Sequence, residues 1–199
     1  MGDIRSKKPV LLVTAVFSRH AEAIDWGKTR LEEVFGPIGI VSEAFSFHHT
    51  KYYDREMGTN LHKQFFGFET LVEEDCLPPI KHQTNQLEQD LIVEGRFPEE
   101  QRPLNIDPGI LTLGKFLLAT TKDQQHRIYL RDGIYAEVTL RFSEGEFHPW
   151  EWTYADYREP ALHAFLLQTR DYYRQRLSDW HSRQNLSESP GLPDRNNGP

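Results

Sequence analysis

The stretch 105–121, NIDPGILTLGKFLLATT, divides the chain, and its reading sets the architecture on both sides. Pro103 to Ile106 predict a short strand. Asp107-Pro108 then reads as a helix N-cap followed by proline at the first helical position, where the missing N–H has no partner to lose. Ile110, Leu113, Leu117 and Leu118 recur at helical spacing, so 109–121 predicts a helix, weakened by Gly114.

Upstream, Pro9 to Phe17 is an apolar run of the kind a buried strand uses. Ala21 to Phe35 carries Ile24, Leu31, Val34 and Phe35 near helical spacing and stops at Gly36-Pro37. Ile38 to Phe47 alternates in part and predicts a second strand. A polar, aromatic connection, 48–60, leads to a third strand, Leu61 to Leu71. Pro78-Pro79 opens a helix to about Val93, with Ile80, Leu87 and Leu91 on one stripe. With 103–106 the order becomes strand–helix–strand–strand–helix–strand. That is the order of a ferredoxin-like unit, an antiparallel sheet with both helices on one face. The expected fold class is α+β: a ferredoxin-like β-α-β-β-α-β half over about 8–106, extended by a helix, a β-hairpin and a C-terminal helix over about 107–181.

Downstream, two alternating runs flank Arg131-Asp132-Gly133. A two-residue Asp132-Gly133 turn pairing Leu130 with Tyr135 sets apolar opposite polar. A three-residue loop, with Gly133 left-handed, pairs Leu130 with Ile134, Tyr129 with Tyr135 and Ile128 with Ala136. Ile128, Leu130, Ile134, Ala136, Val138 and Leu140 then share an apolar face. Arg127, Tyr129, Tyr135, Glu137, Thr139 and Arg141 share a polar one. Register follows burial, so the second pairing is expected. Trp150 to Arg158 is an aromatic segment, and 159–181 predicts a final helix.

The chain has 199 residues, 27% charged and 12% aromatic, which is globular composition. At roughly 150 residues per domain, one domain over 1–181 is expected. Residues 182–199, rich in Ser, Asn, Pro and Gly, predict a disordered tail. The single cysteine, Cys76, excludes a disulfide framework and a cysteine zinc cluster, and its acidic neighbours would raise its pKa. Lys7-Lys8 before the apolar run imitates a signal peptide, but Arg19, His20 and Thr14 break the pattern, and a buried strand explains the same residues. Met1-Gly2 with Ser6 fits only the loose myristoylation pattern. No apolar run approaches a membrane span. The net charge of −7 argues against generic nucleic-acid binding, which neutralises phosphates with Lys and Arg.

Several blocks recur together in a recognisable set. Ser42-Glu43, Phe45, Phe47, Thr50, Tyr52-Tyr53 and Glu56-Met57-Gly58 form one block; Lys81, Thr84-Asn85 and Glu88 form another. Asn105-Ile106-Asp107-Pro108-Gly109, then 118–123, His126 to Leu130, Gly133 to Glu137, Trp152-Thr153-Tyr154 and Asp156-Tyr157-Arg158 complete it. Over roughly 8–175 the chain resembles a bacterial family of unknown function, domain of unknown function forty-four sixteen. The resemblance implies a bacterial, cytoplasmic protein and no assigned catalytic residue. His48-His49 before Thr50 depart from its pattern.

Three segments carry candidate chemistry. On the polar hairpin face, Arg127 opposite Glu137 is either a structural cross-strand pair or a grip for a phosphate or carboxylate, with Glu137 as general acid or base. Asp107 is either a plain N-cap or a group for a metal or a hydroxyl-bearing ligand. His126, placed by alternation on the apolar side, is a core or edge histidine, or else a metal ligand or proton shuttle. Catalytic candidates are therefore Asp107, Glu137 and His126; ligand-binding candidates are Tyr52, Tyr53, Glu56, Asn105, Arg127, Tyr129 and Tyr135. His48, His49, Glu56 and His126 lack any metal-binding spacing, so no metal site is assigned. Absent P-loop, GxGxxG and GxSxG patterns leave the cofactor unknown. Oligomeric state is not readable. The expected function is a small-ligand-binding protein or an enzyme on a polar or phosphorylated metabolite, with the Tyr52–Glu56 segment, the Asn105–Asp107 strand end and the Arg127/Glu137 face converging on one pocket. The alternative is a non-catalytic interaction module using the sheet or the 150–158 segment. RNA binding would need exposed aromatics on central strands and a local basic face.

Overall fold

The computed structural model describes residues 8–47 and 53–187, without the side chains of residues 47 and 185–187. β1 (Val10–Ser18) is followed by α1 (Ala21–Phe35), β2 (Ile38–Val41), β3 (Phe45–Phe47), the one-turn α2 (Asp54–Met57) and β4 (Leu61–Val72). Then come α3 (Leu77–Glu94), β5 (Asn105–Leu111), β6 (Lys115–Thr120), β7 (Ile128–Arg131), β8 (Ile134–Ser143) and β9 (Glu146–Pro149). A 3₁₀ turn (Ala155–Arg158) leads into α4 (Pro160–Ser187). The strands form one antiparallel sheet in the order β2-β4-β1-β5-β6-β8-β7, with β3 also on β4 and β9 also on β8.

β1 lies inside this sheet and is buried at every position. Its alternation sorts two cores. Leu12 and Val16 face α1 and α3 through Ile24, Leu31, Ile80, Leu87 and Leu91. Leu11, Val13 and Ala15 face the other way, onto Leu162, Phe165, Leu166, Tyr173 and Leu177 of α4. The fold is α+β, and α1 and α3 share a face as expected. The order β2-β4-β1-β5 is compatible with the ferredoxin-like reading. α4 covers the opposite face of the sheet, the face that stacking of an open sheet would use.

The helix expected over 109–121 is a correction: this stretch is the end of β5, a turn at 112–114 and β6. Both faces of the hairpin are covered. Phe116 and Leu118 join the α4 core, while Ile110, Ala119 and Leu117 pack with Leu77 and Val10 on the α3 side. A strand buried on both faces loses its period-two signature, so its apolar residues also match a helical spacing. Pro108 also argues against a strand from sequence alone, because proline is excluded from central ladders. Here β6 pairs with β5 only at Gly109–Leu111. The Ile106 N–H points away from β1, to Glu88. Alternation puts the Pro108 nitrogen on that same side, where no strand pairs, so no ladder bond is lost.

Gly109 is required where the hairpin closes. A Cβ there would sit 2.4 Å from the Leu117 carbonyl oxygen and 2.9 Å from the Phe116 ring. Gly109→Ala is expected to cost roughly 1–3 kcal/mol through this overpacking, read as a lower urea midpoint. An unchanged midpoint would mean that the strands part freely.

In the β7–β8 hairpin the expected pairs Ile128↔Ala136 and Tyr129↔Tyr135 are present. The turn differs: Arg131, not Leu130, faces Ile134, with Asp132 and Gly133 both at positive φ and Leu130 left as the bulge. A two-residue turn of this hand matches strand twist, and the bulge restores the register that burial demands. The single apolar face is also corrected. Ile128 is 70% exposed, because β7 is the sheet edge. A second bulge, at Thr139 between the Leu117↔Val138 and Phe116↔Leu140 pairs, moves Leu140 into the α4 core, away from Ile134 and Ala136. α4 runs to Ser187, six residues into the stretch read as tail; 188–199 lie outside the described residues.

Candidate functional site

β6 diverges from β5 below Gly109, and a cavity of about 430 Å³ fills the split. Side chains of α3 substitute for the missing strand. The Glu88 carboxylate accepts the Ile106 N–H at 2.7 Å, and Lys81 Nζ donates to the Ile106 carbonyl at 2.9 Å. Lys81 also reaches Asp107 Oδ1 at 3.3 Å. Asn105 and Asp107, two residues apart on β5, project on one side of the strand. β8 supplies Glu137, the segment before β7 supplies Arg127, and the 3₁₀ turn supplies Asp156 and Tyr157.

Four cations of the wall, Lys63, Lys81, Arg102 and Arg127, are held by carboxylates, and Lys122 also lines it. Lys63 Nζ lies 2.6 Å from Asp156 Oδ2, among the rings of Phe17, Phe65 and Tyr157. Arg102 donates to Glu88 through Nε (3.1 Å) and Nη2 (2.7 Å), and Nη2 also donates to Asn105 Oδ1. Arg127 donates through Nε to Glu137 (2.7 Å), through Nη1 to the Lys122 carbonyl (3.0 Å) and through Nη2 to the Tyr154 hydroxyl (2.7 Å). The Arg127 and Glu137 side chains are each 1% exposed.

Two groups stand out against this pairing. Arg102 donates to Asn105 Oδ1 and thereby orients the amide, so Nδ2 is the free end. Asn105 is 2% exposed, and Nδ2 has no partner among the described residues. The hydroxyl of Tyr157, also 2% exposed, has none either. Both residues line the cavity. Burial of an unpaired polar group costs about 1–3 kcal/mol, so such groups call for an explanation.

The candidates divide as follows. Tyr53, Asn105, Asp107, Arg127 and Glu137 line one cavity. His126 stands behind it: Nε2 lies 3.3 Å from Glu137 Oε2, and the ring stacks on Trp152 at 5.4 Å. Its expected apolar placement is corrected, since β7 begins at Ile128 and strand alternation does not extend to 126. Asp107 is likewise no N-cap, because it lies within β5. Glu56 is exposed on α2 and contributes its carbonyl to the Arg102 N–H. Tyr129 and Tyr135 pack edge to face at 5.2 Å outside the cavity lining. Tyr52, His48 and His49 lie outside the described residues. Trp150 stacks on Trp152 at 5.3 Å.

Lys63, Lys81, Arg102 and Asp156 also line the cavity, outside the set expected from the sequence, although Lys81, Glu88 and Asp156 lie in the motif blocks above. Among the described residues, the trio of potential metal ligands His20, Glu99 and Glu100 lies outside the cavity lining, and Glu100 already holds Arg19 at 3.1 Å.

Burial and nearby acids push the Tyr53 and Tyr157 hydroxyls up, so both stay protonated at neutral pH. Burial, then Asp75 and Glu73, raise Cys76 to about 11. Burial also raises Glu88 against the pull of Lys81 and Arg102. For Asp107, burial pushes up, but Lys81, Lys63, the Asn105 amide and Arg102 together win, and its pKa falls below the usual carboxylate range. The unfolded chain binds this proton near pH 4, whereas the folded chain keeps the group ionised to lower pH. Its stabilisation is therefore present above that range and lost as pH falls. Between about pH 6 and pH 3 the Tm of Asp107→Asn should fall less than that of the parent chain. Equal falls would show that the carboxyl is not held down.

A family model described as Domain of unknown function (DUF4416) matches residues 8–173, from the residues just before β1 into α4. No curated protein and no solved structure matches the chain.

Proposed function

The chain belongs to the DUF4416 family, whose description assigns no activity, so we propose from the cavity itself that this is a small-ligand-binding protein or an enzyme acting on a polar or phosphorylated metabolite. The observation that carries the reading is the pair of buried, unpartnered groups, Asn105 Nδ2 and Tyr157 OH, at a cavity within the usual size range of ligand sites. Asp107 is the acidic candidate best placed to meet a ligand. Its lowered pKa suits an acceptor of a hydroxyl or ammonium group better than a proton-abstracting base. Glu137 and His126 act behind Arg127, as positioning residues for its guanidinium. A cytoplasmic location is part of the same proposal; no helix among the described residues is long and apolar enough to cross a membrane.

The test is a thermal-shift screen with nucleotides, sugars, sugar phosphates and divalent metals at millimolar concentration. At least one compound should give a saturable rise in Tm, growing as the logarithm of its concentration. A flat screen overturns the reading.

A separate observation favours the interaction-module reading. Edge strand β7 presents Ile128, Tyr129 and Leu130 at 70%, 57% and 39% exposure. An exposed edge presents unpaired N–H and C=O groups that can pair with another strand, and here apolar side chains flank them. Concentration-dependent sedimentation that Ile128→Lys abolishes would support it, and sedimentation as a monomer at every concentration would remove it.

A further inference from the structure

Resting on the ligand-site reading above, we infer that the cavity takes a neutral, polyhydroxylated ligand, not a phosphate ester. The first argument is the commitment of the guanidinium groups. A phosphate site characteristically offers an arginine fork for two parallel hydrogen bonds. Arg102 spends its Nε/Nη2 edge on Glu88, and Arg127 spends Nε on Glu137 with both Nη atoms on Lys122 and Tyr154. Lys63 and Lys81 face Asp156 and Asp107. An arriving dianion would meet carboxylates already neutralising these four of the five lining cations, Lys122 being the fifth.

The second argument is the pattern of what remains. Asp107, held ionised, offers oxygens that only accept. Asn105 Nδ2, two residues away on the same side of β5, only donates; it helps to hold Asp107 ionised but makes no hydrogen bond of good geometry among the described residues. A hydroxyl is the group that matches this combination, since it donates to the carboxylate and accepts from the amide at once. Tyr157 OH, unpartnered across the cavity wall, donates to or accepts from a second hydroxyl. A phosphate oxygen satisfies Asn105 but is repelled by Asp107. The walls of Tyr53, Tyr154 and Tyr157 give the carbon skeleton an apolar surface.

The experiment is a thermal-shift and calorimetric titration of the full chain with matched pairs that differ by one phosphate: glycerol and glycerol 3-phosphate, D-ribose and D-ribose 5-phosphate, myo-inositol and its 1-phosphate. Inorganic phosphate serves as control. A neutral member should raise Tm by roughly 5–10 °C at about a hundredfold excess over its Kd, and its phosphorylated partner should bind at least tenfold more weakly. Tyr157→Phe removes an unpaired hydroxyl, so the free protein should keep its Tm or gain slightly while the shift shrinks. Asn105→Asp keeps the oxygen that Arg102 uses and exchanges the donor for an acceptor, so the shift should vanish. Stronger binding of the phosphorylated members overturns this inference and leaves the ligand site standing. A shift that survives both substitutions places the ligand elsewhere and overturns it too. No shift with any compound of either class overturns it together with the reading on which it rests.

Discussion

Glu137→Ala is expected to destabilise the protein by about 3–5 kcal/mol, visible as a large drop in urea midpoint. Arg127 and Glu137 are both removed from water, 2.7 Å apart. Truncating the acid leaves a guanidinium that cannot shed its proton, in a site that offers it only neutral oxygens. The same carboxylate also accepts from Thr139 at 3.4 Å and lies 3.3 Å from His126, so three partners lose one acceptor. The pair itself is a weaker stabiliser than its rupture suggests, because desolvation offsets much of the attraction. Arg127→Met with Glu137→Leu should therefore recover most of the loss. A single-variant cost under about 1 kcal/mol would show that Arg127 relaxes into the cavity and finds water there.

Asp156→Ala should cost a similar amount, about 3–5 kcal/mol, for a related reason. Lys63 lies 3% exposed and loses the carboxylate 2.6 Å away; the more distant Asp107, whose ionisation it favours, and the faces of Phe17 and Tyr157 at 4.6 and 5.1 Å remain. Cation–π contact offsets only about 0.5–2 kcal/mol. Lys63→Met should cost less, since a thioether suits those rings. In a double-mutant cycle Lys63→Met and Asp156→Leu should couple strongly, the double variant approaching the parent chain in stability. Additive single effects would mean that the two side chains do not depend on each other. Because both residues line the cavity, the stable double variant also separates folding from binding: it should fold and give a reduced thermal shift.

Local chemistry was sufficient for much of this. α1 has the bounds read from its spacing and Gly36, and the Tyr129↔Tyr135 register follows from which side chains need burial. Arg127 and Glu137 stand out in the sequence as a polar pair across a hairpin, and Asn105 and Asp107 as a strand end before an expected helix; all four line one cavity. Lys63 gave no such signal. A lysine in an alternating strand reads as solvent-facing, and only the arrival of Asp156, 93 residues later, makes its burial tolerable. Arg102 and Glu88 were hidden likewise, as charges in a loop and on a helix, until the gap beside β5 gave them backbone to satisfy.

The amino-acid sequence by itself determined the α+β class, β1, α1, β4 and α3 of the first half, and the Ile128↔Ala136 and Tyr129↔Tyr135 pairs of the β7–β8 hairpin, because each rests on a periodicity of a few residues. Tertiary structure decided the rest. It made 109–121 a hairpin, since coverage from both faces erases the alternation that separates strand from helix. It also decided where β6 leaves β5, and so where a Pro108 nitrogen without a hydrogen is harmless and where a cavity opens. Which cation meets which carboxylate is a property of that opening, set by groups far apart in the chain that only the closed sheet brings within hydrogen-bond distance.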